Sequence, residues 1–90
     1  MITIFVILAY DMSSGRINKV KKTVGKYLLP VQKSVFEGNI TYGNLERLKT
    51  ELMHIIDPAK DGIIIYKSEW NCGLSKEAIG THKKTDIFII

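Results

Sequence analysis

Paired cysteines, long apolar runs and low-complexity tracts are all missing from this sequence. Cys72 is its only cysteine, which excludes an intrachain disulfide and any zinc site built on cysteine pairs, and fits a reducing compartment. The apolar run over residues 2–10 breaks at Asp11, well short of the about 20 residues that a helix needs to cross a bilayer. It also lacks the basic leader and small-residue cleavage site of a secretory signal. A cytoplasmic protein with no membrane partner is expected. No phosphate loop or dinucleotide fingerprint occurs, and neither His54 nor His82 has a nucleophile or ligand partner at a recognisable spacing. The last deficit is of one charge sign. Residues 12–36 contain Arg16, Lys19, Lys21, Lys22, Lys26 and Lys33 and no acid, whereas the rest of the chain carries seven basic and nine acidic residues.

What is present describes one small folded domain. The chain has 90 residues, 46% hydrophobic and 24% charged, with a formal net charge of +4. A domain of this size buries only about 60–65% of the surface its unfolded chain exposes, so its stability gains from association. The positive excess, gathered in one segment, points to a polyanionic partner, because neutralising phosphates and releasing their counterions supplies affinity of any sequence.

Residues 2–10, rich in β-branched and aromatic side chains without polar alternation, predict a central strand covered on both faces. Ser13 or Ser14 can cap a following helix, in which Ile17, Val20, Val24, Tyr27 and Leu28 form an apolar arc and Arg16, Lys19, Lys22 and Lys26 a basic one. Pro30 is expected to end that helix. The stretch VQKSVFEGNI reads as extended chain, either one bent strand or a strand pair. Thr41 can cap a second helix with Leu45, Leu48, Leu52, Ile55 and Ile56 inside and Glu46, Arg47, Thr50 and His54 outside, closed by Asp57-Pro58. GIIIYKS, residues 62–68, is a second buried-looking strand. Residues 69–85 fade into loop, and DIFII, residues 86–90, makes a short apolar strand that needs a partner, most simply a neighbouring subunit. The order predicts an α+β ferredoxin-like two-layer sandwich, βαββαβ with an extra C-terminal strand, as a single domain over residues 1–90.

Asp11 stands where the first strand leaves the sheet, a common position for site residues. It either caps the adjoining turn or ligates a metal. One carboxylate is too few for magnesium, which takes one or two carboxylates with waters and substrate phosphates. A second copy of Asp11 across a homodimer twofold would supply the other. Phe36 and Tyr27 read as core aromatics or as base-stacking rings, and Cys72 as inert.

Tyr10-Asp11, the helix carrying Arg16 and Lys19, the segment QKSVFEG, the Leu-rich second helix, GIIIYKS and the final IFII together resemble the Cas2 family of CRISPR-associated proteins. The resemblance covers most of the chain and is loose only over residues 70–85. It implies a ferredoxin-like homodimer whose last strand pairs with the partner's sheet. It further implies spacer acquisition in CRISPR adaptation, by a metal-dependent endonuclease or endoribonuclease that also forms the central dimer between copies of the integrase Cas1. On this likeness Asp11 is the catalytic residue and ligand of Mg2+ or Mn2+, and Tyr10 and Phe36 shape the dimer cleft. Arg16, Lys19, Lys22 and Lys26 contact nucleic acid, whether duplex DNA or single-stranded RNA. The chain departs from the family pattern at Pro30, where an arginine often precedes the Val-Gln pair. The alternatives are a non-catalytic duplex-DNA scaffold for the integrase, and an unrelated ferredoxin-like RNA-binding module or toxin ribonuclease.

Overall fold

The first strand, β1 (Thr3–Asp11), alternates: Ile4, Val6, Leu8 and Tyr10 are buried, while Phe5, Ile7, Ala9 and Asp11 face the other way. The computed structural model describes residues 2–12, 14–69 and 73–80, with only the backbone of Ser14. Its elements follow as α1 (Ser14–Val24), β2 (Leu29–Gln32), β3 (Val35–Thr41), α2 (Tyr42–Ile55), β4 (Gly62–Glu69) and β5 (Gly73–Gly80). The strands form one antiparallel sheet in the order β2-β3-β1-β4-β5. The ferredoxin-like α+β arrangement of the first four strands and two helices is the one the sequence pattern predicts, whereas the strand added at the β4 edge, β5, is not the one expected over residues 86–90.

Val20 and Val24 of α1, the following Leu28, and Leu45, Leu48 and Leu52 of α2 close over the inner residues of β1, with Phe36, Ile40, Ile63 and Ile65 completing the core. Among the described residues only this face of the sheet carries helices. The expectation that β1 is covered on both sides therefore holds for its central position but not for its outer face, where Phe5 remains 37% exposed.

Other boundaries differ from the sequence reading. Helix α1 ends at Val24, before Gly25, rather than running to Pro30. Glycine is a poor helix former, yet the Leu28 amide still donates to the Val24 carbonyl. That bond keeps Leu28 on the apolar arc beyond the helix end, which is why the periodicity runs on. Pro30 lies in β2, an exposed edge strand where a missing amide is tolerated. VQKSVFEGNI resolves as the β2–β3 hairpin. Thr41 caps α2 as expected, its hydroxyl accepting from the Asn44 amide at 3.1 Å.

Within the loop expected over residues 69–85, residues 73–80 instead form strand β5. Its pattern was hard to read because its inward positions, Ser75, Glu77 and Ile79, are mostly polar. Glu77 reaches the flank of α2, where Lys49 donates to both its carboxylate oxygens at 3.0 Å, with Lys67 at 3.7 Å. An inward-facing acid breaks the apolar alternation that marks a strand. The expected strand over residues 86–90, its pairing with a partner, and the readings of Ser13, Cys72 and His82 lie outside the described residues.

Two expectations follow. Leu48 is fully buried between helix and sheet, so Leu48→Ala lowers unfolding stability by about 2–5 kcal/mol, read as a reduced denaturant midpoint with unchanged slope. The second concerns acid. Glu77 is held below the usual carboxylate range by its hydrogen bond to Lys49, and Glu51 by hydrogen bonds from Lys26 and Tyr27. Both carboxyls are more acidic folded than unfolded. The stability they contribute is complete above the ordinary glutamate value, about 4.3, and is lost as pH falls from there through the lower folded values. Thermal melts from pH 6 to pH 3 should show the decline, and Glu51→Gln with Glu77→Gln should flatten it.

Candidate active site

Asp11 is the last residue of β1 and pairs across the sheet with Gly62, the first of β4, which in turn pairs with Gly80. Alternation puts its exposed carboxylate on the helix-free face, in line with Phe5, Ile7 and Ala9. It makes no side-chain hydrogen bond or ion pair among the described residues. The turn between β2 and β3 closes on the same end of the sheet. The Tyr10 amide donates to the Ser34 carbonyl at 3.1 Å and the Tyr10 hydroxyl to the Lys33 carbonyl at 3.2 Å. The carboxylate is thus the exposed tip of a strand fixed on both sides.

Tyr10 and Phe36 sit inside the protomer. They are 7% and 3% exposed, with ring centroids 6.4 Å apart. The core reading of Phe36 is borne out and Tyr10 joins it inside, where burial raises the Tyr10 hydroxyl above its ordinary pKa. As walls of a cleft they could act only indirectly, by shaping the backbone around Asp11.

The basic arc divides into two pairs. Arg16 does not stand in solvent as its place on the helical wheel suggested. Its Nε donates to Asp61 Oδ2 at 2.5 Å and its Nη2 to Oδ1 at 3.2 Å. Lys26, beyond the end of α1, donates to Glu51 at 2.8 Å. Neither pairing was legible in the sequence, because a helical wheel shows which way a side chain leaves its helix and not which acid from a distant segment meets it. Lys19 and Lys22, with Lys21 beside them, are exposed and make no ion pair among the described residues.

Two residues of this region were not singled out as site residues by the sequence reading. Lys33 is an exposed cation in the turn against Tyr10, and its place inside the QKSVFEG stretch was the available signal. Asp61 is fully buried. Nothing local distinguished it from a loop acid, since its partner lies 45 residues away. An apolar groove of about 390 Å3 between α2 and β5, lined by Met53, Ile56, Pro58, Ala78, Ile79 and Gly80, carries no titratable side chain.

No cluster of three or more metal-ligating side chains occurs among the described residues. Asp11 is nonetheless a hard oxygen donor with open surroundings, which suits a magnesium ion that keeps its waters and a substrate phosphate, provided a second carboxylate comes from elsewhere. Among the described residues no helix is long and apolar enough to cross a membrane.

The fold and this strand end define an α+β protein of ferredoxin-like type that presents one carboxylate on a helix-free sheet face. Comparison with known proteins narrows the class. The family profile described as CRISPR associated protein Cas2 matches residues 4–74. The chain is 40% identical to the CRISPR-associated endoribonuclease Cas2 of Methanocaldococcus jannaschii, covering 90% of this chain and 71% of that protein. It is 40% identical to the CRISPR-associated endoribonuclease Cas2 3 of Thermodesulfovibrio yellowstonii, over 89% and 91%. A solved structure titled "Crystal structure of cas2" superposes with a TM-score of 0.70 at 29% identity, covering 99% of this chain and 100% of that one. A hypothetical protein from Thermus thermophilus, TT1823, shares the fold with a TM-score of 0.64 at 19% identity, over 98% of this chain and 93% of that one. The chain belongs to the Cas2 family of CRISPR-associated proteins. That membership sets aside the unrelated RNA-binding module.

The capping bond tests the helix that follows β3 on the other face of the sheet. Thr41→Ala removes the acceptor for the Asn44 amide and lowers stability by about 1 kcal/mol, measurable by chemical denaturation.

Proposed function

We propose that this chain is a metal-dependent endonuclease of the CRISPR adaptation machinery, cutting phosphodiester bonds of RNA or DNA as a homodimer, with Asp11 as its catalytic carboxylate. The observation that carries this reading is the exposed Asp11 carboxylate on the helix-free face, beside apolar surface from Phe5, Ile7 and Ala9, in a chain whose relatives are named endoribonucleases. Apolar sheet surface that no helix covers favours association. In a twofold dimer the same patch meets itself, so joining these faces brings one Asp11 toward the other.

The paired carboxylates would hold the divalent ion through oxygen. When bound, magnesium supplies a Lewis acid for the phosphate oxygens and lowers the pKa of its water. The protein's own residues do the rest. Pairing of β1 with β3 and β4 fixes Asp11 in register. Tyr10, tied to the β2–β3 turn, keeps that turn and Lys33 at the same end. Lys19, Lys21 and Lys22 attract the nucleic-acid backbone without reading its sequence.

Asp11→Asn tests the reading. Magnesium-dependent cleavage of labelled single-stranded RNA and duplex DNA should fall by at least the about hundredfold that loss of a metal's supporting group costs, while binding changes little. Retained cleavage would sink the proposal. A second role, holding duplex DNA for Cas1 without cutting it, is favoured by the exposed lysines of α1. Lys19→Gln with Lys22→Gln should weaken duplex binding and reduce its salt slope by about 0.9 for each phosphate that is no longer neutralised, with no change in thermal stability. Spacer integration that survives Asp11→Asn would assign that step to the scaffold alone.

A further inference from the structure

Asp61 is the one charged residue among the described residues with no exposed surface. Its carboxylate is heavily used. Oδ2 accepts from Arg16 Nε at 2.5 Å and from the Asp57 amide at 2.9 Å, and Oδ1 accepts from Arg16 Nη2 at 3.2 Å. The surrounding backbone is built to admit it. Asp57 accepts from the Lys60 and Asp61 amides through its carbonyl and from the Ala59 amide through its side chain, closing the 57–61 loop on itself. Gly80 has φ +80°, and a Cβ there would lie 2.3 Å from the Asp61 carbonyl oxygen. Only glycine fits both that backbone conformation and that approach.

The location gives this pair a consequence for Asp11. Gly62, next in sequence to Asp61, is the strand partner of Asp11, and Arg16 follows Asp11 by five residues. Arg16 is therefore a cation close enough along the chain to seek Asp11, the exposed acid at this strand end. The buried Asp61 holds it on the helix side of the sheet, whereas Asp11 faces the other side.

We infer that Asp61 is a positioning residue that sequesters Arg16, keeping the Asp11 carboxylate available to a divalent cation instead of an internal ion pair. This rests on the reading of Asp11 as a metal ligand. Asparagine at position 61 would present one acceptor and turn an amide donor toward a guanidinium that only donates. The freed Arg16 then competes with metal for Asp11. A close opposite charge favours a carboxylate's ionised form by about one to three pKa units, so a cation displacing it faces at least about a tenfold penalty.

The test uses Mn2+ and the full chain without nucleic acid, following paramagnetic broadening of the Asp11 amide resonance. Asp61→Asn should raise the Mn2+ needed for half-broadening at least about tenfold. The double variant Arg16→Met with Asp61→Asn, which removes the competitor, should return it to near the wild-type level. A double variant as weak as the single, or a single indistinguishable from wild type, overturns the inference, because a purely structural role offers no reason for rescue. If Asp61→Asn does not fold, Arg16→Lys serves: it keeps the charge but loses the two-pronged hold. It should raise the requirement severalfold, and no change would refute sequestration. Wild-type protein whose Asp11 amide does not respond to Mn2+, when Asp11→Asn behaves alike, would instead count against Asp11 as a ligand.

Discussion

Burial of Ile4, Val6, Leu8 and Tyr10 beneath α1 and α2 is the constraint on which the rest of this small protein depends. A strand turns alternate residues to opposite faces, so committing these four to the core commits Phe5, Ile7, Ala9 and Asp11 to the other side. With both helices on one face, the opposite face is left to solvent or a partner. The position of Asp11 is thus a consequence of core packing. A one-residue slip in the register of β1 would exchange the two sets and send Asp11 inward.

Charge is divided between fold and surface in a similar way. Of the basic residues gathered near α1, Arg16 and Lys26 are bound to acids from distant segments and serve the fold, whereas Lys19, Lys21 and Lys22 project outward. The two roles fall to neighbouring positions of like charge. What separates them is whether an acid from another element comes within reach. Asp61 supplies one for Arg16 at the start of the helix, and Glu51 of α2 supplies one for Lys26 beyond its end. The inward-facing Glu77 works alike at the β5 edge, tying strand to helix through Lys49.

Much of the fold was legible in the sequence because it rests on local periodicity. The apolar run of β1, the leucine stripe of α2 with its Thr41 cap, and GIIIYKS all fell where expected. The misreadings have physical causes. Val24 and Leu28 stay in phase across the end of α1 because one backbone bond continues the helical path. Strand β5 turns ion-pairing and small polar groups inward in place of an apolar row, so its alternation carried no hydrophobic signal. Asp11 was legible as a candidate because it is the first acid after an apolar strand, and family membership follows from the same landmarks.

The sequence by itself determined the order of the main elements as far as β4, the inward face of each and the concentration of positive charge near α1, since each depends on residues within a few turns of one another. Tertiary structure alone decided that Arg16 is paired with a buried Asp61, that Tyr10 lines the core, and that Asp11 shares a face with exposed apolar surface. Those outcomes depend on segments brought together across the sheet, and periodicity along a chain contains no information about which distant residue completes an ion pair.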